Sequence, residues 1–247
     1  MSCFKIGLAS VTFRNKNIEE IVSLCKRAQV DCIEWGADVH VITAEDAKKA
    51  KEICSEAGIE VSSYGSYYRV GKSKEEEWSV ICENAKLLGA ESIRVWLGEK
   101  NSQDMSEEEY DTLLRDLKRI CDIAENYGLL VCPECHDYTF NNDTDAFLKI
   151  QADADKANFG TYFQSRYFRK EYDLDRIERT YDFIENVHVS YYDMKREQED
   201  KIKDETYLDT LLRSFRDRKF AGAIILEFTE NSDEEAFFED IRKLKMY

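Results

Sequence analysis

Eight times along the 247 residues, a short apolar stretch with strand character is followed by a longer stretch with helical spacing. The strand-like stretches start near residues 4, 31, 59, 92, 129, 158, 186 and 223, so successive starts lie 27, 28, 33, 37, 29, 28 and 37 residues apart. Each gap holds one strand and one helix, and strict alternation of this kind demands a parallel sheet. The helical stretches carry their own punctuation. Ile18, Ile21, Val22, Leu24, Cys25 and Ala28 recur at helical spacing over 17–29. Thr43 with Asp46, Ser73 with Glu76 and Ser106 with Glu109 have capping-box spacing, and Gly58, Gly89 and Gly128 stand where three helices stop. Further helices are expected near 143–156, 173–184, 205–219 and 233–245. Eight units in about 250 residues predict one α/β domain over 1–247, a single (β/α)8 TIM barrel. A doubly wound open sheet is the structural alternative. It would call for a glycine-rich phosphate loop after the first strand, where Ser10-Val11-Thr12-Phe13-Arg14 stands instead.

Active sites of such barrels sit at the C-terminal ends of the strands. Read in order, those ends carry Glu34 with His40 beyond it, Tyr64, Arg94 and Trp96, Glu134 and His136, Gln164 and Arg166, His188, and Glu227. All three histidines of the chain lie on or just after a strand, and none falls on a helical pattern. The stretch 129–137, Leu-Leu-Val-Cys-Pro-Glu-Cys-His-Asp, is the densest of these ends. Strand periodicity turns Cys132, Glu134 and His136 to one side. A carboxylate buried at the end of an apolar strand is costly unless something there pairs with it. Taken singly, each such residue is most simply a hydrogen-bonded core group. Together, Glu134, His188 and Glu227 make a set of two carboxylates and one imidazole that can hold a divalent cation, with Gln164 adding an amide oxygen. Oxygen-rich sites of this kind suit manganese, magnesium or cobalt, and zinc is compatible.

Composition narrows the function classes. The formal net charge is −16, from 51 acidic and 35 basic residues, and no run of Lys or Arg offers a groove to a phosphodiester backbone. No nucleic-acid partner is expected. No apolar run approaches the roughly 20 residues of a membrane span, and the N-terminus lacks the shape of a signal peptide. Eight cysteines scattered over helices and strands fit reduced thiols in the cytoplasm. Cys132 and Cys135 form a C-x-x-C, but three apart on a strand they face opposite sides, and no second such pair exists to build a zinc knuckle. Aromatic residues crowd the strand ends, among them Tyr64, Tyr67, Trp96, Tyr162 and Tyr191. Such rings pack on the C–H faces of sugars, although some must be core.

Taken whole, the chain resembles the xylose-isomerase-like barrels, the sugar (phosphate) isomerase/epimerase superfamily. The resemblance rests on Lys5-Ile6-Gly7-Leu8, on Ile33-Glu34-Trp35-Gly36 with His40, on Ile93-Arg94-Val95-Trp96, on Glu134-Cys135-His136, on Val187-His188-Val189 and on Leu226-Glu227-Phe228, in that order and spacing. Members of the ketose-epimerase type bind one divalent metal through Glu, Asp, His and Glu from strands five to eight. Glu134, His188 and Glu227 match three of these positions. At the fourth, Gln164 stands where Asp is expected, and Tyr167 replaces a histidine that often follows it.

The resemblance implies a metal-dependent sugar isomerase or epimerase working by proton transfer through an enediolate, with Glu134 and Glu227 as the acid/base pair on opposite faces of the substrate. His136, Arg94, Glu34, His40, Trp96, Tyr64 and Arg166 are the candidates for holding a small sugar or sugar phosphate, Glu34 and His40 alternatively forming a structural pair. Two other readings share the scaffold: an inosose-dehydratase-like lyase, and a non-catalytic, metal-free sugar-binding barrel suggested by Gln164. The superfamily's apurinic-site endonucleases use many more histidines than three, and the acidic charge opposes DNA. Barrels of this kind often pair, so a homo-oligomer is compatible with the sequence, which marks no face for it.

Overall fold

The computed structural model describes residues 4–165, 168–198 and 206–247. Its strands are β1 (Lys5–Ala9), β2 (Cys32–Gly36), β3 (Glu60–Val70), β4 (Ser92–Leu97), β5 (Leu130–Pro133), β6 (Thr161–Gln164), β7 (Ile184–Val189) and β8 (Ala223–Leu226). All ladders are parallel, and the order around the sheet is β5-β4-β3-β2-β1-β8-β7-β6. A single bridge, Val131 to Phe159, joins the two ends, so the sheet is a nearly closed (β/α)8 barrel. The join is short for a chemical reason. The Val131 amide donates to the Asn158 carbonyl on that side, but two residues on, Pro133 has no amide hydrogen to give. The Thr161 hydroxyl donates to the Pro133 carbonyl at 3.1 Å instead.

Helices α1 (Ile18–Ala28), α2 (Ala44–Ala57), α3 (Glu75–Leu88), α4 (Glu107–Glu125), α5 (Thr144–Ala154), α6 (Lys170–Thr180), α7 (Tyr191–Gln198), α8 (Tyr207–Asp217) and α9 (Glu234–Leu244) follow the strands. Thr43 and Ser106 complete the expected capping boxes, and Gly58 and Gly89 end their helices in the left-handed conformation. Ser73 does not cap α3: its hydroxyl accepts from the amide of Arg69, which with Val70 pairs with β4 and continues β3 to Val70. The sixth helix starts at Lys170, a turn before its expected start, and α7 after β7 was not expected at all. α7 is short and mostly polar, so it lacks the apolar stripe by which a helix is read from sequence.

Strand alternation sends Ile6, Leu8, Ile33, Trp35, Val95 and Ile224 outward to the helices and a smaller set inward. An apolar layer of Cys32, Cys132, Tyr162, Ala223 and Ile225 fills the inside of the barrel, with Ala9 at its upper edge beside Glu34. Gly7 is needed there, since a Cβ would meet both Cys32 Sγ and Ile225 Cγ1 at 3.0 Å. Cys132 thus shares Glu134's side, as strand periodicity requires. Above this layer the interior turns polar.

Candidate active site at the barrel mouth

Five ionisable side chains meet above the apolar layer, each nearly sealed from solvent: Glu34 from β2, Arg94 from β4, Glu134 just past β5, His188 from β7 and Glu227 just past β8. Charges so buried must neutralise one another. Arg94 is the hub. Its Nη1 lies 3.1 Å from Glu34 Oε1 and 3.6 Å from both Glu134 Oε2 and Glu227 Oε1. Gly65 on β3 makes the room, because a Cβ there would stand 3.3 Å from Arg94 Nη2 and from Glu34 Oε1.

Glu34 orients the histidine. Burial opposes its charge, but Arg94 and then His188 and Tyr162 outweigh burial and hold its carboxyl down to about 2. One of its oxygens accepts from the Tyr162 hydroxyl at 2.7 Å and the Ser63 hydroxyl at 2.8 Å, and lies 3.3 Å from His188 Nε2. An ionised carboxylate can only accept, so His188 Nε2 carries the hydrogen. His188 Nδ1 therefore points its lone pair, or a second proton, into the space between Glu134 Oε1 at 3.4 Å and Glu227 Oε2 at 3.2 Å. It is buried and makes no well-formed hydrogen bond. Burial disfavours a proton there, but the three glutamates prevail and raise the imidazole well above its usual range. Glu134 is held well below the carboxylate range: burial opposes this, and Arg94 and His188 override it, helped by the Trp96 indole N–H at 2.7 Å.

This arrangement fits a divalent cation. Ligand atoms of Glu134, His188 and Glu227 lie within 4.8 Å of one another. A carboxylate on the far nitrogen of a ligating histidine is the usual device for fixing its tautomer. Gln164 Oε1 is buried and without a hydrogen-bond partner, while its Nε2 sits 3.5 Å from Glu227 Oε2. Three carboxylates against Arg94 leave two negative charges, which a dication beside a neutral imidazole balances.

The remaining candidates divide between the mouth and the outside of the barrel. Trp96 lines the mouth, and His136 is exposed, its ring 5.6 Å from that of Trp96 and its Nδ1 2.9 Å from the Asp137 carbonyl. His40 is not at the mouth and does not pair with Glu34. Burial lowers its proton affinity, and both ring nitrogens are taken, by Ser10 Oγ at 2.9 Å and the Lys16 carbonyl at 3.1 Å. Tyr64 faces outward and donates to the Val41 carbonyl. The ladder shifts register between Ile33 and Glu34, so odd-numbered residues of β3 face inward beside Glu34. Arg166 and Tyr167 lie outside the described residues. Tyr162 and Ser63 were missed as site residues. Tyr162 stands two before Gln164 on β6, and strand periodicity alone would have found it.

The family model of the xylose isomerase-like TIM barrel matches residues 22–247, and the chain belongs to that family. A 3-dehydroshikimate dehydratase of Bacillus anthracis is 22% identical over 165 residues, which cover 62% of this chain and 59% of that relative's length. Among solved structures, the probable 3-DHS dehydratase from Bacillus anthracis superposes with a TM-score of 0.81 at 16% identity, over 98% of each chain. The 3-keto-D-glucoside 4-epimerase of E. coli gives 0.78 at 16%, over 99% of this chain and 100% of that one. A D-psicose 3-epimerase of Clostridium cellulolyticum gives 0.75 at 11%, over 98% and 97%. Identities this low establish a shared fold. Among the described residues, no helix is long and apolar enough to cross a membrane.

Proposed function

We propose that this barrel is a divalent-metal-dependent sugar, or sugar phosphate, isomerase or epimerase. The observation that carries the reading is His188: Nε2 is anchored on Glu34 while the unsatisfied Nδ1 faces Glu134 and Glu227. Glu134, Gln164, His188 and Glu227 are the residues that would hold the cation. When bound, it would supply Lewis-acid polarisation of a substrate carbonyl and its neighbouring hydroxyl. Glu134 and Glu227 are the acid/base pair: one takes the proton beside the carbonyl, and the other returns one after the enediolate has formed. Arg94 stands 3.6 Å from both glutamates, but Glu134 also accepts from the Trp96 indole at 2.7 Å, whereas the side-chain contacts of Glu227 are all longer than 3 Å, so Glu227 is the freer base. Return to the opposite face of the same carbon is epimerisation, and return to the neighbouring carbon is aldose–ketose isomerisation.

Elemental analysis of protein stripped and reloaded with manganese, beside a Glu134→Gln/Glu227→Gln double variant, tests this reading. Near-stoichiometric metal in the wild type, little in the variant, and turnover of a ketose or aldose to a product of unchanged mass are the expected results. Wild-type protein without metal would overturn the reading. A second reading, a dehydratase-like lyase, draws on the relative that matches over 165 residues. The same base would take a proton beside a carbonyl, and a hydroxyl would leave from the next carbon. A product lighter by one water would select it.

A further inference from the structure

We propose that Arg69 is an anion-recognition residue of this mouth, so that the substrate carries a carboxylate or phosphate away from its reacting carbons. The inference rests on reading the mouth as a substrate site and adds the substrate's charge to that reading. Arg94, Arg14 and Arg69 stand near the aromatic side of the mouth, Arg94 facing Tyr67 and Arg69 facing Trp96. Arg94 is consumed by three glutamates, and Arg14 by Asp38. Arg69 differs. Its guanidinium lies 4.3 Å from the centroid of the Trp96 ring, and its Nη1 donates to the Gly98 carbonyl at 3.1 Å. Among the described residues no carboxylate is within ion-pair distance of it. A guanidinium has five N–H donors in a fixed fork, and one side-chain hydrogen bond leaves most of that fork unused. A half-buried cation stacked on an indole and tied at one nitrogen is preorganised for two oxygens of a carboxylate or phosphate.

Its position gives the anion a place. The indole N–H of Trp96 is fixed on Glu134 at 2.7 Å, so Arg69 stands one indole away from a member of the acid/base pair. Tyr67 meets the same ring edge-on with centroids 5.3 Å apart, and the exposed His136 lies against it as well. A polyol chain reaching from the glutamates past Trp96 would bring a terminal anion to Arg69. The charge of the whole chain makes such a cation a requirement for any anionic substrate. At −16 the protein repels anions at long range, and an anionic substrate requires a local counter-charge that a neutral sugar does not.

The test titrates inorganic phosphate and acetate, separately, into wild-type protein, Arg69→Met and Arg69→Lys by calorimetry, each with and without manganese. Wild-type protein should bind one or both anions. Arg69→Met should weaken that binding by about tenfold or more, the scale of losing a charge-assisted fork, with thermal stability and manganese content unchanged. Arg69→Lys should keep part of the phosphate binding, as a point charge without the fork. Binding of acetate alone identifies a carboxylate substrate, and binding of phosphate alone a phosphorylated one. Equal anion affinity in wild type and Arg69→Met, or no binding of either anion to wild type, overturns the proposal. Arg69-dependent anion binding in protein that takes up no manganese would sustain this inference while sinking the metal mechanism. Manganese uptake without Arg69-dependent binding would do the reverse.

Discussion

At the scale of single residues, Gln164 and Gly65 set the electrostatics of the mouth. Gln164 is neutral where the resemblance leads one to expect an acid, yet Glu34, Glu134 and Glu227 already leave two charges beyond what Arg94 balances. A Gln164→Asp substitution adds a third. It should tighten manganese by about tenfold or more, an order of 1.4 kcal/mol, and lower the thermal stability of the metal-stripped protein, because the new carboxylate sits against Glu227. Unchanged affinity in a manganese titration would show that this side chain is no ligand. Gly65 acts by being small. Its neighbours Arg94 Nη2 and Glu34 Oε1 are held from several sides and cannot swing away. Gly65→Ala should therefore cost about 1–3 kcal/mol, as overpacking does, with turnover falling further than stability implies; urea unfolding beside kcat measures both. The sequence makes the mouth's chemistry legible at Glu134, His188 and Glu227, where one polar residue ends an apolar strand. It hides Arg69 and Ser63, whose roles depend on a register shift that no periodicity announces.

Among the elements, α6 starts a turn before its expected position, and the missed turn carries contacts that bear on the site. Its expected start, Asp173, is in the helix's first turn, with its side chain turned inward. Asp173 accepts from the Ser165 hydroxyl at 2.7 Å and from the Tyr207 hydroxyl at 2.6 Å, and Arg176, three residues on, donates to Cys135 Sγ. Ser165 follows Gln164 and Cys135 follows Glu134, so one buried helix face grips the residue after each of two candidate ligands. Polar residues on an inward face read as a solvated surface in sequence, which is why the helix was placed a turn late. Arg176→Met keeps helix propensity and bulk but drops the grip on Cys135. It should cost about 2 kcal/mol, the value of a charged hydrogen bond, and weaken manganese binding, whereas the exposed control Arg179→Met should change neither; thermal unfolding and metal titration decide. Asp173 adds a pH signature. Burial raises its carboxyl above the ordinary value despite its hydrogen bonds. A folded-state value above the unfolded one means stability that is present below about 3.9 and lost as pH rises through the folded value. The stability of wild type relative to Asp173→Asn should therefore be most favourable at the acid end and decline with rising pH; a flat difference between the two unfolding curves would refute the assignment.

For the molecule as a whole, the alternation of strand and helix was enough to read a barrel, but not where the barrel is weakest. Seven strand pairs form ladders, three of them with a register shift, and the eighth junction, between β5 and β6, is one bridge supplemented by the Thr161 hydroxyl on the Pro133 carbonyl. Pro133 is the chain's only proline, and its missing amide hydrogen faces that junction. The same two strands end in Glu134 and Gln164, so the proposed cation ties together the strands that the backbone joins least. Metal binding should then stabilise the seam more than the rest of the sheet, since a ligand that binds only the native state adds its binding free energy to opening equilibria that break its site. In hydrogen exchange, amides of 130–134 and 158–164 should exchange faster than those of β1 and β2 in stripped protein, and manganese should slow them most. Thr161→Val removes the hydroxyl at nearly constant volume. It should cost about 1 kcal/mol, accelerate exchange at the seam selectively, and leave β1 unaffected. Uniform exchange around the barrel, or equal protection of all strands by manganese, would mean that the β5–β6 junction is not a distinct point of opening.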